Sequence, residues 1–214
     1  MKRKFYQELV NWKNNNISMP LMVVGARQIG KTYLIDKFCK EKFNDYMYIN
    51  LLNSRRIVEL FESKIDTENK VRKMQLVLNK DITEETVILF DEIQESEGLI
   101  SALKYFCGSE FQYKIVCAGS LLGVKLKRFS KSFPVGKVSI KYMYPMDFEE
   151  FLRIIKCGMY AEEIKRCYKN NEKMLDTLHE KLLDYYRLYL CIGGMPAAVQ
   201  NISVPLYATF CINK

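Results

Sequence analysis

Eight consecutive residues, Gly25-Ala26-Arg27-Gln28-Ile29-Gly30-Lys31-Thr32, restrict this chain more than any other feature. They follow an apolar run, Leu21-Met22-Val23-Val24, introduced by Pro20 and closed by Gly25, which is the pattern of a buried strand. Beyond Gly30, residues Leu34, Ile35, Phe38 and Cys39 recur at helical spacing. Strand, glycine-punctuated turn and helix therefore adjoin. The two glycines let the backbone curl around atoms that a side chain would displace. The amides of such a turn, with the N-terminus of the helix behind it, aim N–H donors and positive dipole at one point. Lys31 adds an ammonium and Thr32 a hydroxyl. Such a cradle suits a polyphosphate.

The spacing is that of a P-loop, G-x-x-x-x-G-K-[ST], without a mismatch. All eight residues are expected to line the phosphates of a nucleoside triphosphate, ATP with Mg²⁺. Lys31 reaches the β- and γ-phosphates and the Thr32 hydroxyl is a ligand for Mg²⁺. A second apolar run, Val87-Ile88-Leu89-Phe90, delivers Asp91-Glu92 to the end of a buried strand. On a neighbouring parallel strand Asp91 becomes the second Mg²⁺ residue, and Glu92 the general base that orients or deprotonates the attacking water. A further run, Lys114-Ile115-Val116-Cys117-Ala118, ends at Gly119-Ser120. Ser120 then stands where a polar sensor of the γ-phosphate belongs, or caps a loop or helix. The catalytic candidates are thus Glu92, Lys31 and Ser120. Gln94 is a candidate for polar lining, and Arg27 pairs with an acid or faces solvent. Guanine reading has no support, because Asn79-Lys80-Asp81 is followed by Ile82 where a second aspartate is required.

The remaining pattern alternates. A helix is expected over residues 5–15, strands at 46–51 and 137–144, and helices at 55–63, 68–79 and 97–107. Strands alternating with helices imply an α/β layered sheet with its ligand at the strands' carboxyl ends, although periodicity does not fix the strand order. After Pro145 the pattern turns helical. Asp147 and Glu150 have capping-box spacing, residues 148–156 and 159–190 are mostly helical in pattern, and Leu175, Leu178, Leu182, Tyr185, Tyr186 and Tyr189 form one broad stripe. Gly193, Gly194 and Pro196 break it. The division expected is residues 1–145 as nucleotide-binding core with an N-terminal helix, 146–200 as a small helical lid, and 201–214 as an atypical tail.

Composition narrows the partners. The chain of 214 residues carries a formal net charge of +8, which suits polyanions and is spread along its length apart from a denser stretch at residues 125–141. No helix-turn-helix, zinc finger or aromatic stacking platform accompanies it. The seven cysteines lack short metal-type spacings, there is one histidine, and no run reaches the 18 apolar residues a membrane helix needs. Reduced thiols, no membrane partner and a cytoplasmic location are expected.

Several segments carry a family likeness: residues 6–13, the loop with Val24 before it, Phe90-Asp91-Glu92-Ile93-Gln94, Ala118-Gly119-Ser120-Leu121-Leu122-Gly123-Val124, residues 133–138, residues 144–152, and Gly193-Gly194-Met195-Pro196-Ala197-Ala198-Val199. On these the chain resembles the AAA-like P-loop ATPases of bacteria and archaea that carry a C-terminal DUF4143 region, the AAA_14-type ATP-binding proteins. The resemblance implies a three-layer P-loop core of AAA+ type with a parallel sheet of order 5-1-4-3-2 and a small C-terminal helical lid. It implies the roles given above for Lys31, Thr32, Asp91 and Glu92, and a sensor-like Gly-Ser element at Ser120. Members are longer, with a further domain after the Gly-Gly-Met-Pro segment, and residues 204–214 depart from their continuation. Most of the DUF4143 region is therefore expected to be missing. Arg128 is the first candidate for a cation supplied to a neighbouring subunit, ahead of Arg153, Arg166 and Arg187.

Three functions fit. The first is a Mg²⁺-dependent ATPase that couples ATP binding and hydrolysis to closure of the helical part. The second is a non-catalytic nucleotide-binding module that presents a surface to a protein partner. The third is a DNA-associated ATPase, resting on charge and weak precedent. Self-association is compatible with each.

Overall fold

The computed structural model describes residues 3–15, 17–107, 109, 111–120 and 136–201. The Leu121–Val124 and 133–135 segments of the family likeness, Arg128, and the tail beyond residue 201 lie outside them. The chain divides into two compact units, residues 5–143 and residues 144–201 with residues 3 and 4.

In the first unit the order is α1 (Phe5–Asn15), β1 (Leu21–Gly25), α2 (Lys31–Lys42), β2 (Asp45–Asn50), α3 (Arg55–Glu62), α4 (Thr67–Leu78), β3 (Thr86–Asp91), a 3₁₀ turn (Ile93–Glu95), α5 (Glu97–Phe106), β4 (Lys114–Ser120) and β5 (Ser139–Tyr142). The strands form one sheet in the order β2-β3-β4-β1-β5, and every pairing is parallel. This is the 5-1-4-3-2 order that the resemblance implied. Parallel strands are covered on both faces, so their sequences are continuous apolar runs rather than alternations. Period two still sorts them. Met22, Val24, Met47, Ile49, Ile88, Phe90, Ile115 and Cys117 join Ile57 and Phe61 of α3, Val71 and Met74 of α4, and Leu99, Leu103 and Phe106 of α5 in one core. Phe61 and Phe90 meet edge to face at 6.1 Å. Each such buried ring contributes roughly 1.5–3 kcal/mol of transfer free energy. The alternate residues, among them Val23, Leu89 and Ala118, are also buried. Helix α2 packs against β2, β3 and β4, with α1 against α2. The result is three layers.

Parallel pairing brings all carboxyl ends to one edge of the sheet. Gly25 lies opposite Ser120 in the β1–β4 register, and Asn50 opposite Asp91 in the β2–β3 register. That edge carries the octapeptide, the Asp91-Glu92 pair and Ser120.

In the second unit the helices are α6 (Phe148–Ile154), α7 (Gly158–Asn170), α8 (Asp176–Ile192) and α9 (Pro196–Gln200). Helix α6 starts on the expected capping box: Glu150 N–H donates to Asp147 Oδ1 at 2.8 Å, and Asp147 N–H donates to Glu150 Oε2 at 3.3 Å. Glu150 also accepts from Arg3 Nε at 3.1 Å and from the Lys4 amide at 2.6 Å. Residues 159–190 are mostly helical, as expected, and divide into two helices at residues 171–175. Asn171 adopts φ 53° and ends α7 with a left-handed cap, the conformation that asparagine tolerates best after glycine. Leu175 falls off the stripe, 75% exposed, because it precedes α8 and gives its carbonyl to His179 N–H. Leu178, Leu182 and Tyr185 pack toward Leu152 and Ala161, while Tyr189 packs toward Met146 and Phe151. Gly194 is required by contact: a Cβ there would lie 2.1 Å from the Met146 carbonyl oxygen.

Candidate active site

The loop after β1 is held open by backbone geometry. Gln28 and Gly30 both have positive φ, 64° and 85°. Ile29 between them is fully buried and anchors the turn. Glycine is free in the left-handed region, whereas Gln28 stays there against a cost of order 1–3 kcal/mol, a strain typical of functional turns. Gly25 cannot carry a side chain, since a Cβ would lie 2.2 Å from the Met143 carbonyl oxygen.

Lys31 is buried by the turn it closes, and its Nζ donates to the carbonyls of Gly25 at 3.0 Å and Ala26 at 2.6 Å. Its ammonium therefore lies across the mouth of the loop. Burial pushes its pKa below the ordinary lysine value, Glu92 and Asp91 pull it up again, and Arg27 pushes it down.

Thr32 Oγ1 lies 3.1 Å from each carboxylate oxygen of Asp91. Asp91 is 5% exposed and accepts two further hydrogen bonds, from Tyr48 OH at 3.0 Å and from the Glu92 amide at 3.1 Å. Both oxygens are hard donors of the kind Mg²⁺ takes. Adjacent ligands in a Mg²⁺ octahedron, each at about 2.0–2.1 Å, sit about 2.9 Å apart. The Thr32–Asp91 spacing thus fits such an ion with little adjustment. No cluster of three or more His, Cys, Asp or Glu side chains suited to a metal occurs among the described residues.

Glu92 opens the 3₁₀ turn in a left-handed conformation, φ 54°. Gln94, which is buried, donates its amide to Glu92 Oε2 and accepts from the Ser120 backbone N–H at 3.2 Å. Ser120 Oγ lies 3.5 Å from Glu92 Oε2, and Arg27 Nε lies 3.4 Å from Ser120 Oγ. Arg27, Glu92 and Ser120 line a cavity of about 290 Å³ together with Lys31, Thr32 and Asp91, and Gln94 supports Glu92 from outside that lining. A larger hollow of about 900 Å³, walled by α3, α4 and α5, contains none of them.

Of the expected site residues, Arg27, Gln28, Gly30, Lys31, Thr32, Asp91, Glu92 and Ser120 line one cavity, whereas Ile29 is buried beneath the loop and Gln94, Gly25 and Ala26 are not in the lining. Arg27 is exposed to solvent, one of its two expected placements, and its Nε also lies 3.4 Å from Ser120 Oγ. Arg153, Arg166 and Arg187 each pair with carboxylates of their own helical unit. Tyr48 escaped the sequence reading. Its signal was the strand order: β2 beside β3 puts a tyrosine near the end of the strand flanking Asp91.

A family model described as "AAA domain", AAA_14, matches residues 18–152. This chain belongs to the AAA_14 family. No curated protein matches the sequence. Among solved structures, this AAA domain is similar to the Walker-type ATPase PABY2304 of Pyrococcus abyssi, at 17% identity and a TM-score of 0.54, over 99% of this chain and 70% of that one. PCH-2 of C. elegans is 11% identical over 96% of this chain and 59% of its own, with a TM-score of 0.48. The RuvB Holliday junction branch migration motor of Thermotoga maritima is 12% identical over 77% and 52%, with a TM-score of 0.45. The first likeness shows the P-loop ATPase fold; the other two are too distant to carry an argument. Among the described residues no helix is long and apolar enough to cross a membrane.

Proposed function

We propose that this AAA domain hydrolyses ATP in a Mg²⁺-dependent reaction. The observation that carries the reading is the meeting of three groups at one sheet edge, the Thr32 hydroxyl, the Asp91 carboxylate at 3.1 Å, and Glu92 next in sequence. The loop amides and Lys31 hold the phosphates. Thr32 and Asp91 would hold Mg²⁺, which would supply neutralisation of phosphate charge. Glu92 takes a proton from water as the water oxygen bonds to the γ-phosphorus. The bond from that phosphorus to the bridging oxygen breaks, and its electron pair stays on the β-phosphate. Gln94 keeps the Glu92 carboxylate toward Ser120, whose hydroxyl adds polarity beside the γ-phosphate.

We further read residues 146–200 as the lid whose conformation follows nucleotide state, in the DUF4143-bearing branch of the family, with self-association and a cytoplasmic site of action. Supports are the likeness of residues 144–152 and 193–199 and the unpaired state of Cys39, Cys107, Cys117, Cys157, Cys167 and Cys191.

The test is turnover of Glu92→Gln. Loss of a positioned base slows the reaction by about 10²–10⁴-fold, with ATP still bound by calorimetry. A wild-type rate in this variant removes Glu92 from the mechanism. Tight ATP binding by the natural chain without turnover at any protein concentration would make it a binding module instead.

A further inference from the structure

Arg27 is an arginine inside the loop that wraps the phosphates. Among the described residues its side chain has one hydrogen-bond partner, Ser120 Oγ at 3.4 Å, and no carboxylate partner. It lines the same cavity as Lys31, three residues from Gly30. Two cations that share a cavity repel each other, and an anion between them reverses the sign of that interaction.

Position in the cavity tells which phosphate is concerned. Thr32 and Asp91 meet each other directly, and Ser120 Oγ lies 3.5 Å from Glu92. Arg27 therefore stands on the Glu92–Ser120 side. If Glu92 acts on the attacking water, its side of the cavity is that of the terminal phosphoryl group. The guanidinium keeps unshared N–H donors, and its planar fork matches phosphate oxygens.

We propose that Arg27 is a catalytic arginine acting in cis: it donates hydrogen bonds to the terminal phosphoryl oxygens of the nucleotide held by its own loop, with Ser120 as its rest contact. This rests on the ATPase reading above. The arginine forms no covalent bond and moves no proton. It stabilises charge as the γ-phosphorus gains the water oxygen and loses the bridging one. Each site then carries its own transition-state cation and does not need one from a neighbouring subunit.

The experiment compares Arg27→Ala, Arg27→Lys and Glu92→Gln in turnover and in ADP and ATPγS binding. Arg27→Ala is expected to lose about 10³-fold or more in kcat, with ADP affinity little changed. Arg27→Lys should recover part of the rate, as a point charge without the fork. An equimolar mixture of Arg27→Ala and Glu92→Gln should stay inactive. Recovery in that mixture means the arginine works across subunits and overturns the proposal, as does wild-type turnover of Arg27→Ala. Should the natural chain bind nucleotide without turnover, the ratio of ATPγS to ADP affinity decides: a fall in Arg27→Ala supports the contact, and no change refutes it. Glu92→Gln at the natural rate beside a slow Arg27→Ala would sink the base assignment and leave Arg27 standing.

Discussion

Replacing Gly25 with alanine tests the packing that shapes the loop. The added methyl would lie 2.2 Å from the Met143 carbonyl oxygen and 2.6 Å from Ile29 Cδ1, where ordinary contact begins near 3.4 Å. Met143 cannot retreat freely, because its N–H donates to the Val24 carbonyl at 2.8 Å and holds the end of β5 to β1. A retreat of about 1 Å would stretch that hydrogen bond beyond useful length, a loss of about 1 kcal/mol. Overpacking adds roughly 1–3 kcal/mol. The expected cost is therefore about 2–4 kcal/mol, or roughly 4–16 °C in Tm for a chain of this length. Urea unfolding followed by Trp12 fluorescence suits the measurement. Trp12 is the one tryptophan of the chain, is 1% exposed, and donates its indole N–H to Met19 O at 2.8 Å. The midpoint should fall with the slope unchanged. Gly158→Ala is the control, since its methyl meets nothing closer than 3.4 Å, and it should shift stability by less than about 1 kcal/mol. Equal midpoints for Gly25→Ala and the natural chain would refute the close approach.

Two further outcomes follow from polar contacts. Tyr48→Phe removes one of the donors to Asp91, a hydrogen bond to a charged group worth about 1.5–3 kcal/mol; the Mg²⁺ concentration for half-maximal turnover should rise several-fold or more, and an unmoved Mg²⁺ titration would deny Tyr48 any part in positioning Asp91. Partial burial works to raise the Glu149 carboxyl, but Lys165 and Lys4 together hold it down to about 2. A depressed carboxyl contributes stability above its unfolded pKa of about 4.3 and loses it as pH falls toward 2. The natural chain should thus exceed Glu149→Gln in stability at neutral pH, with the gap closing between about pH 4.5 and 2; a gap that persists at pH 2 would contradict it.

Much of the first unit was legible. Apolar runs ended by Gly25, Asp91 and Ser120 mark strands whose carboxyl ends meet, because parallel strands buried on both faces leave no other pattern. The Asp147–Glu150 cap was readable for a local reason: both partners lie within one helical turn. Residues 159–190 were less so. Asn171 is an ordinary helix-surface residue by periodicity, and only its left-handed backbone reveals the break. Tyr48 was hidden because a tyrosine in a strand packs in most proteins, and its hydroxyl gains meaning only beside Asp91. Arg3 carries no local signal, yet it donates to the buried Glu150, 147 residues away.

The sequence by itself determined the chemistry of the phosphate loop, since glycine, lysine and threonine at fixed spacing act through neighbouring backbone atoms. The tertiary structure alone decided which distant groups meet: Thr32 and Tyr48 on Asp91, and Ser120 beside Glu92 with Arg27 reaching Ser120. Those contacts depend on the order and register of strands far apart along the chain. Local propensity carries no information about either, because pairing is chosen by the burial of whole faces.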